Sequence, residues 1–149
     1  MKATVLLCDS AQVKDGKLYI LGGGWSVTGP APQPHAVAIR IVLPWTEANR
    51  KHQWEIRLVD ADGRQVIVGD EGGTSEVVIS AQFEAGRPPG VPVGSELDNN
   101  QAFNIAALPL EPGKSYEWRL SIDGECRDEW RAPFTIRSAP PEGSVIQSA

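Results

Sequence analysis

Residues 9–27 read Asp-Ser-Ala-Gln-Val-Lys-Asp-Gly-Lys-Leu-Tyr-Ile-Leu-Gly-Gly-Gly-Trp-Ser-Val, and the fold class follows from how they are parsed. Asp15-Gly16 stands between two runs in which apolar and polar residues alternate, the pattern of strands with one buried face. An Asp-Gly pair suits the primed turns of hairpins because both positions accept positive φ. Residues 18–21 are then a strand. Gly22, Gly23 and Gly24 mark a place where that strand kinks and resumes, with Trp25 as its anchor. These glycines are expected to serve backbone geometry and not ligand chemistry.

The same alternation recurs along the chain. Ala3, Val5 and Leu7 open it, and Val37, Ile39, Ile41 and Leu43 form a further segment with Arg40 on the opposite face. Trp54, Ile56 and Leu58 face away from Glu55 and Arg57, and Val66 and Val68 follow. Val77, Ile79, Ala81 and Phe83 alternate with Glu76, Ser80, Gln82 and Glu84. Phe103, Ile105 and Ala107 predict one strand, and Tyr116, Trp118, Leu120 and Ile122 another. The last carries Cys126, Trp130, Ala132, Phe134 and Ile136, with Asp128 as its misfit. Asp62-Gly63 and Asp123-Gly124 predict two more hairpins with primed turns. Pro112-Gly113 supplies a turn before Tyr116, in a run shaped like a sandwich corner where a tyrosine hydroxyl bonds back to nearby backbone. One short helix is expected over residues 46–51, with Thr46 as its cap. The predicted fold class is all-β: a single antiparallel β-sandwich of about eight strands, with at most one short helix. It occupies residues 1–137, and residues 138–149 form a flexible tail.

At 149 residues the chain has the length of one domain, enough to bury ~68–70% of its unfolded surface around one core. The 15 glycines and 12 prolines suit a fold with many turns. A formal charge of −5 and the lack of any basic run argue against a nucleic-acid grip, which needs clustered Lys and Arg. No apolar run approaches the ~18 residues of a membrane span, and residues 3–7 are shorter than the ~7–15 of a signal core. A cytoplasmic location is expected. There Cys8 and Cys126 would be two buried thiols, although spacing leaves their pairing open.

Nucleophilic catalysis finds no support. There is no Gly-x-Ser-x-Gly elbow, and Leu21 stands where an esterase oxyanion loop would carry histidine before its glycines. The same glycines precede no helix and no Lys-Ser/Thr pair, so they form no phosphate loop. His35, His52, Cys8 and Cys126 lack metal-ligand spacing, and neither a metal nor a cofactor is expected. Asp60-Ala-Asp62-Gly63 matches only the start of a calcium loop, which a hairpin turn explains more simply. Asp70, Glu71, Asp123, Glu125, Asp128 and Glu129 could hold calcium only if their turns shared one end of the sandwich.

Aromatics are the excess, with 5 tryptophans. Trp54, Trp118 and Trp130 fall on apolar strand faces and read as core, each indole N–H needing a partner. Trp25 and Trp45 sit beside loops, either as core or interface staples or as platforms for a sugar or a partner. Two proline-rich loops, 28–35 and 85–95, either stiffen crossings between sheets or present a contact surface. In the second, Arg87 lies between Gly86 and Pro88-Pro89. Its guanidinium is either a contact group or the partner of a carboxylate such as Glu84.

Leu-Leu-Cys-Asp-Ser-Ala-Gln (6–12), Asp-Gly-Lys-Leu-Tyr-Ile-Leu-Gly-Gly-Gly-Trp (15–25), Leu-Pro-Trp (43–45), Asp-Ala-Asp-Gly (60–63), Gly-Arg-Pro-Pro-Gly (86–90) and Tyr-Glu-Trp-Arg (116–119) can be taken together. They resemble an uncharacterised bacterial, mainly actinobacterial, domain-of-unknown-function family of small β proteins, over nearly the whole chain to Arg137. The resemblance implies the β fold and brings no activity and no catalytic residues. The residues themselves predict a non-catalytic cytoplasmic β-sandwich that binds another protein or itself as a dimer, with Arg87, Trp25 and Trp45 as binding residues. A small-ligand or carbohydrate-binding module built on Trp25 or Trp45 is the alternative, and an unrecognised hydrolase the third reading.

Overall fold

The computed structural model describes residues 1–141. Its elements in chain order are β1 (Lys2–Lys14), β2 (Lys17–Gly23), β3 (Val27–Thr28), β4 (His35–Leu43), a 3-10 turn (Trp45–Glu47), β5 (His52–Asp60), β6 (Ile67–Asp70), β7 (Gly73–Glu76), β8 (Val78–Phe83), β9 (Leu97–Ile105), β10 (Ser115–Ile122) and β11 (Glu125–Ile136). Two sheets face each other, one in the order β2-β1-β4-β9 and the other β3-β11-β10-β5-β8, while β6 and β7 make a separate ribbon. The chain is all-β, as its alternation predicts. Eight strands are six residues or longer, and β3, β6 and β7 are short, β6 falling where Val66 and Val68 continue the pattern. Among the described residues one pairing departs from the antiparallel rule: β3 runs parallel to β11, with Val27 beside Thr135. No helix among the described residues is long and apolar enough to cross a membrane.

The core forms where the apolar faces of both sheets meet. Val37, Ile39, Ile41 and Leu43 of β4 oppose Trp54, Ile56 and Leu58 of β5, Tyr116, Trp118, Leu120 and Ile122 of β10, and Trp130 and Phe134 of β11. The corner before β10 is made as expected, with the Tyr116 hydroxyl accepting the Glu111 N–H at 3.0 Å. Trp118 gives its indole N–H to His35, whereas those of Trp25, Trp54 and Trp130 are buried without an acceptor among the described residues.

Several local expectations change. Residues 46–51 do not form a helix: the 3-10 turn ends at Ala48, which is already extended, and Asn49 at φ 57° turns the chain into β5. Thr46 caps nothing, because the residue before the turn is Pro44 and no side chain bonds there. Asp15-Gly16 and Asp123-Gly124 have positive φ at both positions, as primed turns need, but at Asp62-Gly63 only the glycine does. That turn is held by the Asp60 carboxylate, which accepts the Asp62 and Arg64 N–H groups at 2.9 Å each. Asp128 fails the alternation of β11 because the strand bulges there. The register steps from Arg131 to Cys126 while β10 advances only from Arg119 to Ser121. The bulge also turns Cys126 outward, so it is an exposed free thiol and only Cys8 is buried. β9 begins at Leu97 and ends at Ile105, earlier than Phe103 and Ala107 suggest, because its first half is polar. Residues 142–149 of the predicted tail lie outside the described residues.

The β1–β2 hairpin is bent. β1 pairs with β4 only as far as Cys8 opposite Ala36, and β1 and β2 then continue together to the turn at Asp15-Gly16. This arm folds back over the outer face of its own sheet. Ala11, Leu18 and Ile20 cover Ala36, Ala38 and Ala102, whose small side chains allow the close approach. Asn104 of β9 grips the main chain of Ala11 with its Nδ2 (2.8 Å) and Oδ1 (3.3 Å), and Asn100 donates to the Gly16 carbonyl at 2.8 Å. Gly22 permits the bend: its φ is 60°, and an added Cβ would run into the Asp9 carboxylate. Gly24, at φ 88°, then passes the chain toward β3 in the other sheet.

Candidate functional site

Trp45 and Arg87 are brought together by the structure, 42 residues apart in sequence. The Arg87 guanidinium lies 4.4 Å from the centre of the Trp45 ring and donates to the Trp45 carbonyl at 2.8 Å. Glu84 takes no part. The two loops meet again where the Asn49 N–H bonds the Ala85 carbonyl at 2.8 Å. Trp25 is elsewhere, edge-on to His35 at 5.8 Å and to Phe134 at 6.2 Å. It sits at the first residue of β4 while Trp45 follows the last, so roughly 30 Å of strand separates them. Both proline loops cross between the sheets, 28–35 from β3 to β4 and 85–95 from β8 to β9.

Next to the Trp45 turn lies a pairing that the sequence reading missed. His52 is buried, with Nδ1 at 2.6 Å from Asp123 Oδ2 and Nε2 at 2.9 Å from the Glu47 carbonyl. Its ring stacks on Phe83 at 5.2 Å. Both neighbours are acceptors, so both ring nitrogens donate and the imidazole is held as the cation. Burial alone would lower the His52 pKa, but the Glu47 carbonyl and the Asp123 carboxylate together raise it above the ordinary 6.5. Burial would likewise raise Asp123, yet the Gln53 N–H and His52 bring it below the ordinary 3.8. A histidine with both nitrogens donating has no lone pair with which to act as a base.

An open groove of about 190 Å³ adjoins this clasp, lined by Glu47, Asp123, Glu125, Ile122 and Trp130 among others. Its carboxylates are spoken for. Asp123 binds His52, Glu125 binds Arg127 at 2.9 Å, and Glu47 lies 3.6 Å from Arg50. Asp128 pairs with Arg131, and Asp70-Glu71 belongs to the turn of the separate β6–β7 ribbon. No group of three His, Cys, Asp or Glu among the described residues could hold a metal ion. At the other end, His35 is pushed toward the neutral form by burial, its Nε2 accepting from Trp118 at 3.1 Å. The cavity beside it holds about 20 Å³, the room of one water.

A family model described as a family of unknown function, DUF6941, matches residues 3–137, which is the sandwich from β1 to β11. The chain belongs to that family. No curated protein and no solved structure matches it.

What remains on this DUF6941 domain is an edge. Among the described residues β2 pairs only with β1, and its outer face leaves Tyr19 49% and Leu21 72% exposed. The signal was present in the sequence. Once Leu18 and Ile20 are read as the buried face, Tyr19 and Leu21 must be the other. The other edges of the two facing sheets are guarded. β9 carries Asp98, Asn99 and Asn100 directly after Leu97, β8 is followed by Glu84, and β3 is two residues long. Between Leu18 and Gly23, β2 has neither charge nor proline, two of the usual protections against strand addition.

Proposed function

We propose that this DUF6941 domain is a non-catalytic protein-binding module whose contact surface is the open edge and outer face of β2. The observation that carries the reading is the exposed pair Tyr19 and Leu21 on an unprotected edge strand. A strand of this kind accepts a partner strand through its main chain and gains further from covering the apolar side chains. The His52 clasp favours this reading over hydrolysis, since both ring nitrogens are committed. Trp45 and Arg87 in this view pin loop 85–95 to the 3-10 turn and leave binding to β2. Both cysteines are free, which suits a reducing compartment, and we place the domain in the cytoplasm. The test compares proteins retained from a lysate by the immobilised parent, by Leu21→Lys and by the control Ser80→Lys on β8. Loss with Leu21→Lys alone supports the reading. Equal retention by all three sinks it.

A further inference from the structure

We infer that the partner of the β2 edge is a second copy of this chain, added antiparallel about a two-fold axis through Ile20. This rests on the reading of β2 as the contact surface. The register of the hairpin decides which groups are free. A two-residue turn at Asp15-Gly16 makes Lys14 opposite Lys17 the closing hydrogen-bonded pair, so Lys17, Tyr19 and Leu21 direct their N–H and C=O toward β1. Leu18 and Ile20 direct theirs outward. The same parity turns the main chain of Ala11 away from β2, where the Asn104 side chain takes it up.

With the axis at Ile20, the two Ile20 residues exchange both main-chain bonds. Tyr19 of each copy then stands opposite Leu21 of the other, in the non-hydrogen-bonded kind of pair that brings side chains closest. The two most exposed apolar groups of the strand thus cover one another. Moving the axis to Tyr19 would set Leu21 against Lys17, and moving it to Leu21 would set Tyr19 against Gly23. The charges agree with Ile20. Lys17 falls opposite Gly23 of the second copy, one position from Gly22, over which the Asp9 carboxylate is laid. Each copy therefore offers one lysine and one aspartate to its counterpart, and the four-stranded sheets join into one.

The experiment uses the full chain with Cys126→Ser, which removes the exposed native thiol. Tyr19→Cys and Leu21→Cys are oxidised mildly, each alone and then mixed. Light scattering follows the parent, Leu21→Lys and Tyr19→Lys over a wide concentration range. The expected result is a parent approaching twice its 16.1 kDa mass as concentration rises, with loss of the dimer in both lysine variants. Disulfide dimers should form in the mixture and fail to form in either variant alone. Circular dichroism confirms that these exposed substitutions leave the fold intact. A parent monomeric at every concentration overturns the second copy, and the retention comparison above still decides the edge by itself. A dimer that survives Leu21→Lys places the contact elsewhere and overturns the interface. Equal cross-linking of each cysteine variant with itself overturns the register.

Discussion

Asp123→Asn tests the His52 clasp with the least disturbance of its surroundings. Asp123 holds φ at 50°, a conformation asparagine tolerates better than most residues. The asparagine carbonyl can still accept the Gln53 N–H, now bonded at 2.9 Å, which turns the amide NH2 toward His52 Nδ1. Imidazole must then lose its proton to accept there, so the substitution removes the charge and keeps the shape. A hydrogen bond to a charged group contributes ~1.5–3 kcal/mol. Asp123 is 46% exposed, and solvent screening reduces the figure to ~1–1.5 kcal/mol. For a chain of this length that lowers Tm by ~3–5 °C near neutral pH. The pH profile is the sharper readout. His52 titrates above 6.5 in the folded protein, so its contribution is fully present below 6.5 and lost as pH rises through the raised value. Asp123 titrates below 3.8, so its contribution is present above 3.8 and lost as pH falls through the lowered value. Melts followed by circular dichroism should show the parent most stable between those limits, with its lead over Asp123→Asn closing toward alkaline pH. A lead that stays constant from acid to alkali would mean the charge contributes nothing, and the clasp argument fails.

Three further outcomes are expected. Among alanine replacements of the three glycines, Gly22→Ala should lower Tm most, adding a clash with Asp9 to the ~1–2 kcal/mol of a left-handed φ; Gly24→Ala, in open space, should show the backbone cost alone. Equal melting temperatures would refute that ordering. Arg87→Ala should cost the ~0.5–1 kcal/mol of an exposed cation–π contact together with the hydrogen bond to the Trp45 carbonyl, and shift tryptophan fluorescence as Trp45 loosens, while self-association persists. Association lost with Arg87 would return the binding role to loop 85–95. A thiol reagent should modify Cys126 at once and Cys8 only on unfolding, and two fast thiols would contradict the outward turn at the β11 bulge.

The sandwich was legible because β5 and β10 bury one face each, and period-two patterning reports that directly. β4 shows its limit. Ala36 and Ala38 are buried on the face opposite Ile39 and Ile41, since a distant hairpin folds over them, and no local pattern announces a covering layer. The polar start of β9 hid where that strand begins for a related reason. Asn100 and Asn104 look like loop residues, yet they hold the main chain of that hairpin. Asp123 was recognisable as a turn residue, but its partner His52 lies 71 positions away, and only the antiparallel pairing of β5 with β10 brings them together. Trp25 and Trp45 shared a description in sequence, both indoles beside loops. The length of β4 between them made one part of the core's aromatic packing and the other a seat for Arg87.

The folded-over hairpin is fastened unlike the rest of the molecule. Ala36, Ala38 and Ala102 offer one methyl group each, so the seam beneath it buries little apolar area for its length. Two asparagine amides on main-chain atoms carry much of the attachment. Such a layer can detach while Trp118, Trp130 and their neighbours stay packed, and amide exchange over residues 11–20 then reports that partial opening and not global unfolding. The chain thus has two separate resistances to opening, and a core substitution that lowers one leaves the other where it was.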